Sequence, residues 1–589
     1  MKLFFYKSPS RNLRHLLTLA ECVGIDSELV EVEHSGSLHG MFKELSLCIE
    51  SVAVLDLASL RYVLDSAELR NLATSLSSTH VKLLLLASDG DQTTSDILNA
   101  LTQGAVRSVE CAEGAKHVTF SQDAQAWTRE LAGHTYARAS DEVLTLSTQR
   151  SEVQPIVELD GSPSFVCMRV GNAQLFVWST PAVMDPRRPL LKELEFEESS
   201  DQYIPAMIFL RSSFGDRCWY NPHTAAAIVL DDPLLLKSYG FIDFSALLSS
   251  ARRAGYHVTL AFIPWNSWRS RREEVNFFKQ YQDCFSVCVH GCDHTDNEYG
   301  SVDYDSLLGK NIVAVQRMEH QRQRTGMPYE SVMVCPQEKY SLEAMQAFSD
   351  SGQFLGLVNT SCIPRNLVSP QVCAADLLMP AQDSFYGFPV FKRHYWTDMS
   401  VFAMDRFLGK PAILVEHHDF FRNSCAGVEN FVAELSRLSP SIEWKPVSDL
   451  VTKTHSRRRL SGTEWELRFF AKKFHIADTE EGVTYNLRKR LPESTIVRHV
   501  VVNGVQVPFS REPDAIVFNV HARTPQAIRV EINTTTMRPS RAYSFGLKYQ
   551  TRVALRRILS EFRDNVISKN RYATQFGKFV MSAMKPSQS

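Results

Sequence analysis

The sequence predicts an α/β protein: an N-terminal doubly wound parallel-sheet domain, a central deformed (β/α) barrel, and a C-terminal antiparallel β-sandwich with a helical tail. Apolar runs of strand length alternate with helix-like stretches over the first 450 residues, which is the pattern of repeated β-α units. After residue 460 the pattern changes to short runs in which apolar and polar residues alternate. That alternation is typical of antiparallel sheets with one buried face.

Composition sets limits on this prediction. The chain has 589 residues, too many for one hydrophobic core, and its 44% hydrophobic and 22% charged residues are those of a folded protein. The formal net charge of -2 excludes a general attraction to nucleic acid. Twelve cysteines show no framework spacing, and the N-terminus does not read as a signal peptide. We therefore expect reduced thiols and a cytoplasmic protein.

The first predicted domain covers residues 1–195. A helix at 11–22 lies between a strand at 2–6 and one at 27–32, and this β-α-β order predicts a parallel sheet of the Rossmann-like or flavodoxin-like kind. The other candidate strands are apolar runs buried on both faces, at 51–57, 82–87 and 175–178.

The second predicted domain, residues 205–453, consists of β-α units that fit a closed or nearly closed barrel. Its candidate strands are 226–230, 258–262, 285–289, 332–334, 356–359 and 412–416, and its clearest helices are 244–254, 305–325 and 341–351. Catalytic groups of such barrels lie at the carboxyl ends of the strands. Polar or ring-bearing residues follow five of these strands, namely Asp231-Asp232, Pro264-Trp265-Asn266, His290, Pro336 and His417-His418.

Two of these strand ends together predict a metal site. Asp232 with His290 and His294, which are four residues apart, form a facial set of ligands for Zn²⁺ or a similar divalent ion. The adjacent Asp231 is then free to act as a base on a water molecule. Taken alone, vicinal aspartates are also typical of a turn or helix cap, and two histidines can be a structural pair. A structural zinc site that combines the histidines with the cysteines Cys284, Cys288 and Cys292 is a further alternative.

The third domain, residues 460–535, is predicted to be a small β-sandwich. Val502-Asn503-Gly504-Val505 within it is a hairpin signal. The last part, 536–589, is a basic tail, with eleven lysines and arginines against two acids from residue 538 onward. Apolar residues at helical spacing predict a helix there, which either packs on its own domain or contacts a membrane surface or an acidic partner. A location peripheral to the inner membrane would follow from the second interpretation.

At these motifs the chain resembles a known family. The Asp-Asp pair, the His-x-x-x-His and the late strand ending in Val415-Glu416-His417 are similar to the three main signatures of the polysaccharide deacetylases, the NodB-homology group also called carbohydrate esterase family four. The resemblance covers roughly residues 205–450. Within the family, the chain is more similar to a branch of bacterial multidomain deacetylase-like proteins. It implies a central barrel of NodB type.

The resemblance also implies residue roles. Asp231 is expected to be the general base. Asp232, His290 and His294 are expected to bind a divalent metal ion, with zinc as the first choice. The metal would polarise the acetyl carbonyl and acidify a water molecule. His417 is expected to protonate the departing amine, with the adjacent His418 as the competing choice, because only one of them can point at the rim of an extended strand.

Five further residues are expected to bind substrate. A backbone N–H near Pro336 or Gln337 could share the oxyanion, and Trp265 and Trp396 could stack on a sugar ring, although core packing explains the tryptophans equally well. Arg393 is the fifth residue that is expected to bind substrate. The family's third motif usually offers an arginine where this chain has Cys335, so Arg393, Lys339 or Arg269 would have to replace it near Asp231.

The sequence thus favours a metal-dependent hydrolase that removes an N-acetyl group from an amino sugar or polysaccharide precursor, in the biosynthesis of a bacterial surface polysaccharide. Two alternatives remain open. A catalytically weakened relative would bind a glycan or an assembly partner without turning it over, and Cys335 in place of arginine favours it. A metal amidohydrolase acting on a non-sugar amide is the other.

Overall fold

The structure is a computed structural model that describes residues 3–6, 10–30, 51–60, 66–149, 151–369, 371–477, 479–540 and 545–569. Parts of the predicted strands at 2–6 and 27–32, and residues 541–544 and 570–589 of the predicted tail, lie outside the described residues. The chain divides into two compact units, where the sequence predicted four parts. The first comprises residues 1–220, 370–379 and 456–466, and the second comprises 221–369, 380–455 and 467–589.

The first unit is built on a nine-stranded mixed sheet in the order β2-β1-β3-β4-β11-β10-β9-β6-β7. The strands of this part of the chain are β1 Leu3–Tyr6, β2 Ser27–Val30, β3 Ser51–Asp56, β4 Val81–Ala87, β5 Val106–Glu113, β6 His117–Phe120, β7 Thr135–Ala137, β8 Glu142–Thr148, β9 Gln154–Leu159, β10 Ser162–Val170, β11 Ala173–Ser179 and β12 Pro189–Leu190. Its helices are α1 Arg11–Cys22, α2 Leu57–Leu60, α3 Ser66–Ser78, α4 Gln92–Leu101, α5 Gln125–Thr128, α6 Leu194–Glu197 and α7 Ile204–Phe214.

The prediction of an all-parallel sheet is correct for one half of this sheet only. Strands β2, β1, β3, β4 and β11 pair in parallel, whereas β11-β10, β10-β9, β9-β6 and β6-β7 are antiparallel. Two tight turns cause the change of direction. Asp160 and Gly161, both at positive φ, connect β9 to β10, and Gly171 at φ 58° begins the turn between β10 and β11. Connections of two residues can only join antiparallel neighbours.

The second unit contains a barrel of parallel strands in the order β21-β19-β18-β17-β16-β13-β22, with β23 beside β13. The strands from β13 onward are β13 Ala225–Asp231, β14 Ser238–Tyr239, β15 Ile242–Asp243, β16 Val258–Phe262, β17 Phe285–His290, β18 Glu330–Val334, β19 Gly356–Asn359, β20 Val372–Cys373, β21 Val390–Lys392, β22 Ala412–Glu416 and β23 Glu443–Trp444. The helices of this stretch are α8 Phe244–Ala254, α9 Arg272–Gln280, α10 Tyr304–Thr325, α11 Leu342–Ser351, α12 Ala374–Leu377, α13 Ser400–Phe407, α14 Ala426–Leu438 and α15 Val447–Lys453. Of these elements, β20 and α12 belong to the first unit.

The sheet nearly closes on itself. His394, just past β21, forms a parallel bridge with Leu414 of β22. Its N–H donates to Ile413 O at 2.9 Å, and Val415 N–H donates to its carbonyl at 2.9 Å. The strand residues are almost all buried, as continuous apolar runs covered by helices should be. All seven strands therefore present their carboxyl ends at one rim.

Helix boundaries around the barrel follow from local sequence. The side chain of Asp243 caps α8 by accepting the N–H groups of Ser245 and Ala246, and Gly255 ends the helix at φ 73°. The long α10 begins in the same way at Asp303 and ends at Gly326.

The last part of the chain contains antiparallel strands and a terminal helix. The strands are β24 His455–Ser461, β25 Glu464–Phe469, β26 Lys473–Ile476, β27 Val483–Arg490, β28 Val497–Val502, β29 Val505–Val507, β30 Ser510–Glu512, β31 Ala515–Ala522 and β32 Ile528–Thr534. In the second unit β27, β31 and β30 form one antiparallel layer, and β26-β32-β28-β29 form another. The predicted hairpin joins β28 to β29, with Asn503 and Gly504 at φ 49° and 82°.

The terminal helix is α16 Leu547–Phe562, continued by a π-helical turn over Arg563–Ile567. Among the described residues, no helix is both long and apolar enough to cross a membrane.

Candidate metal centre and active site

Four strand ends of the barrel bring the predicted site residues to one rim. Asp231 is the last residue of β13 and Asp232 follows it, His290 is the last residue of β17, Arg393 follows β21 and His417 follows β22. Parallel strands are the reason that residues so distant in sequence meet at one edge.

Asp232, His290 and His294 converge on a common point. Oδ1 of Asp232 lies 3.1 Å from Nε2 of His294 and 3.5 Å from Nε2 of His290. One ligand atom from each residue lies within 4.8 Å of the other two, and both histidines are buried. Three donors that share one small volume are the arrangement that a divalent ion needs.

Hydrogen bonding prepares these groups as ligands. Nδ1 of His290 lies 3.1 Å from the carbonyl of Val334, so its N–H donates there and Nε2 keeps a lone pair directed at Asp232. Oδ1 of Asp232 is buried and meets no donor in good hydrogen-bond geometry among the described residues. A buried carboxylate oxygen without a donor is costly, and a cation would satisfy it. The residues present therefore fit a metal ion.

The backbone around the ligands is constrained to hold this geometry. Asp232 and His294 have φ of 76° and 56°, in the left-handed region that non-glycine residues seldom adopt. The carboxylate of Glu298 accepts the N–H groups of Cys292, Asp293 and His294 at 3.2, 2.9 and 3.0 Å. This one side chain fixes the loop between the two histidines.

Gly291 is needed at the start of that loop. It has φ of 66°, and a Cβ at this position would lie 2.4 Å from Cγ of Pro336 and 2.6 Å from Oε2 of Glu298. Any side chain there would displace the loop from β18, whose end carries Pro336.

A second group of possible ligands, Cys292, Asp293 and Glu298, fits a metal poorly. The oxygens of Glu298 accept backbone N–H groups, and Arg317 donates to Asp293 at 2.6 Å. Burial raises the pKa of the Cys292 thiol well above its usual value, so the thiol stays protonated. No ligand group among the residues that the structure describes includes Cys284 or Cys288, which leaves the cysteine-zinc alternative without support.

Asp231 and Arg393 form a buried, bidentate ion pair. Nη1 and Nη2 of Arg393 donate to Oδ1 and Oδ2 of Asp231, both at 2.8 Å, and the side chains are 0% and 4% exposed. Burial acts to raise the pKa of Asp231, but Arg393 and His290 outweigh it and hold the pKa below its usual value. The carboxylate is thus ionised and fixed in orientation.

Of the three candidates to replace the missing arginine, Arg393 is the one that pairs with Asp231. Cys335 is fully buried, and the guanidinium is near enough to act on its thiol electrostatically. The other two candidates are engaged elsewhere, Arg269 with Glu561 at 2.7 Å and Lys339 with Asp296 at 3.7 Å. Arg393 was expected to contact substrate, whereas its side chain is fully buried against Asp231.

The two adjacent histidines after β22 point in different directions. His417 is half-buried, contributes to the low pKa of Asp231 electrostatically, and stacks on Tyr395 with ring centroids 6.1 Å apart. His418 is buried against Phe241, and its Nε2 lies 3.4 Å from Oδ1 of Asp564. His417 has an extended backbone just past β22, whereas His418 begins the 3₁₀ turn His418–Phe421, so the two side chains leave the chain in different directions.

The remaining predicted substrate contacts vary in their surroundings. Trp265 is half-buried with its ring edge-on to Trp268, while Trp396 packs edge-on against Phe420 and Phe431. Pro336 is buried against Gly291. The side-chain oxygen of Gln337 accepts the N–H of Asn297 at 3.2 Å. Trp396 is also half-buried, and it packs on Phe431 of the core.

The structure also brings residues to the site that sequence reasoning missed. Tyr239 lies beside Asp232, and three residues of the C-terminal segment, Tyr549, Arg557 and Asp564, contact the rim. Asp564 is one of only two acids in a basic segment, which was the one signal that could have drawn attention to it.

No protein-family model matches the chain, and no curated protein matches it. Among solved structures the chain is similar to Agd3, described as a novel carbohydrate deacetylase, at 11% identity over 91% of this chain and 99% of that one, with a TM-score of 0.43.

Two other solved structures match the chain over a smaller part. These are the Xyl-CE4 domain of a multidomain xylanase from the hindgut metagenome of Trinervitermes trinervoides (12% identity, 39% and 89% coverage, TM-score 0.24) and a family 4 carbohydrate esterase from Streptomyces lividans (14%, 38% and 93%, 0.23). All three TM-scores are below 0.5.

Proposed function

We propose that this chain is a metal-dependent hydrolase that removes an acetyl group from an N-acetylated amino sugar or a polysaccharide precursor. The observation that carries the proposal is the pairing of two neighbouring aspartates with different partners. Asp232 faces two imidazole nitrogens at 3.1 and 3.5 Å, while Asp231 is held ionised by a bidentate arginine. Asp232 is thereby suited to bind a cation, and Asp231 is suited to accept a proton.

A metal ion, with zinc as our assignment, would be held by Asp232, His290 and His294. When bound, it supplies Lewis acidity toward an amide carbonyl and lowers the pKa of a water molecule. Asp231 accepts the proton from the attacking water, and Arg393 keeps the base ionised and oriented. The backbone N–H of Gln337 is our candidate donor to the oxyanion.

His417 is our candidate for the acid that protonates the departing amine. It follows β22 at the rim and acts electrostatically on Asp231, so it and the base belong to one site. Tyr395 stacks on its ring and limits its rotation. His418 is directed to Asp564 instead, which is why we assign the proton transfer to His417.

Amine release from N-acetylglucosamine oligomers by the zinc-loaded chain tests the proposal, with an N-acetyl amino acid as the non-sugar comparison. Asp231→Asn keeps the shape of the base and should retain one zinc per chain while turnover falls by about 10²–10⁴-fold. Asp419→Asn, which alters an exposed carboxylate at the same rim, is the matched control and should keep full turnover.

Three outcomes would contradict the proposal or redirect it. Full zinc loading without amine release from any substrate would favour a binding protein. Release from the amino acid alone would indicate a non-sugar amidohydrolase. Unchanged turnover in Asp231→Asn would remove the base from the mechanism.

A further inference from the structure

The C-terminal helix lies directly over the metal centre. Tyr549 Oη donates to Oδ2 of Asp293 at 3.0 Å, and Nη2 of Arg557 lies 3.3 Å from Nδ1 of His294. In the π-helical turn, Asp564 accepts a hydrogen bond from Tyr239 Oη at 2.8 Å. The inner face of α16 and its continuation is therefore polar and directed at the ligand loop.

Two more contacts complete the cover. Glu561 pairs with Arg269 at 2.7 Å, and Oδ1 of Asn565 accepts the N–H of Gly240 at 2.9 Å. Both partners belong to loops that follow strands at the rim. The segment thus crosses the mouth of the barrel between two of its loops.

Little space remains beneath the segment. The cavity at Asp232 has a volume of about 10 Å³ and is walled on one side by Arg557, Ser560, Glu561 and Asp564. A volume of this size holds about one water molecule. A sugar ring cannot enter this cavity while the segment occupies this position.

The charge of Arg557 opposes a cation at the same place. Its side chain is 7% exposed, and its guanidinium faces His294 and acts electrostatically on Asp232. To accept a hydrogen bond from Arg557, Nδ1 of His294 must carry a lone pair. A neutral imidazole that binds a metal through Nε2 carries its proton on Nδ1 instead. Arg557 and a divalent ion therefore compete for the same ligands.

The segment is held mainly by polar contacts, and it buries few apolar side chains. Only Val553 and Arg557 of α16 are buried. Six large apolar side chains of the segment are each more than half exposed: Leu547, Leu555, Ile558, Leu559, Phe562 and Val566. A helix with few buried apolar contacts opens locally at small cost in free energy.

We propose that the C-terminal segment 547–567 is a gate over the metal centre, closed in this structure by Arg557 and displaced when a divalent ion and substrate enter. The inference rests on the proposed function for the identity of the substrate. The competition between Arg557 and the ion does not depend on turnover.

Hydrogen exchange of the full chain tests the gate without any substitution. Amides of 547–562 should exchange faster than those of β13 and β17, and adding Zn²⁺ should speed them further, because the ion expels Arg557. Added protection of the helix by Zn²⁺ would overturn the proposal, since the helix would then belong to the loaded centre.

Zinc affinity of matched variants supplies the second readout. Arg557→Ala should bind Zn²⁺ tighter by about tenfold or more, because the guanidinium no longer repels the ion. Repulsion between charges this close has about that effect even in a medium as polar as water. Arg552→Ala, on the exposed side of the same helix, should bind as the wild type does. Weaker binding in Arg557→Ala would show that the arginine supports the ligands, and the gate would be refuted.

The two proposals fail separately. Zinc-driven opening without amine release would leave the gate intact and refute the deacetylase assignment. Amine release with a helix that zinc protects would do the opposite.

Discussion

The Arg393–Asp231 pair allows the sharpest prediction. Both side chains are almost fully buried, and both oxygens of Asp231 accept from the guanidinium at 2.8 Å. Arg393→Ala leaves a buried carboxylate without its cation, and removal of one partner from such a pair costs about 3–5 kcal/mol. We therefore expect a loss of this size in the free energy of unfolding at neutral pH.

The loss should depend on pH in a defined direction. In the wild type the pKa of Asp231 is depressed, so its contribution to stability is present above the unfolded pKa and is lost as pH falls through the folded pKa. In Arg393→Ala burial is opposed less and the pKa of Asp231 rises, so the carboxyl takes up a proton at higher pH. The difference between wild type and variant should thus be largest near pH 7.5 and shrink toward pH 4.5.

Urea unfolding at these two pH values, combined with the pH profile of kcat/KM, measures the effect. The acid limb of the profile should move to higher pH in Arg393→Ala. The double variant with Asp231→Asn should be less destabilised than the sum of the two single changes, because no unpaired charge remains. An equal loss at both pH values, or one below about 1 kcal/mol, would refute the reasoning.

Two further predictions concern the adjacent histidines and a buried acid. His417→Gln should abolish amine release with metal content unchanged, whereas His418→Gln should keep most activity; the reverse result in an amine-release assay would exchange their roles. Burial raises the pKa of Glu330 to about 7, so the folded chain holds an extra proton between the ordinary pKa and pH 7, and stability falls as pH rises through that range. Glu330→Gln should remove most of this loss of stability, which is about 3 kcal/mol between pH 5 and pH 8. Urea unfolding at these two pH values measures the effect, and an unchanged pH dependence would contradict the prediction.

Local sequence was enough to predict that Asp232, His290 and His294 meet at one rim. Asp232, His290 and His294 each follow or end an apolar run of strand length, and parallel strands necessarily bring such ends to one rim. The Asn503-Gly504 hairpin was predictable for the same reason, since its geometry depends on two residues at positive φ.

Long-range contacts explain most of what sequence missed. β21 has only three residues, Val390–Lys392, too short for a pattern to reveal, and so the sequence left Arg393 as one of three candidates to pair with Asp231. Arg557 reaches His294 across 263 residues. The antiparallel half of the N-terminal sheet was missed for another reason, because the Asp160-Gly161 turn signal was overlooked.

We propose above that Asp232, His290 and His294 hold one cation beside the carboxylate base Asp231. A crystal of the zinc-loaded chain, measured at the zinc absorption edge, tests it most directly. We predict one anomalous peak among Asp232, His290 and His294, with Asp231 still bonded to Arg393. A peak at Cys292, Asp293 and Glu298 instead, or none at either place, would contradict the account.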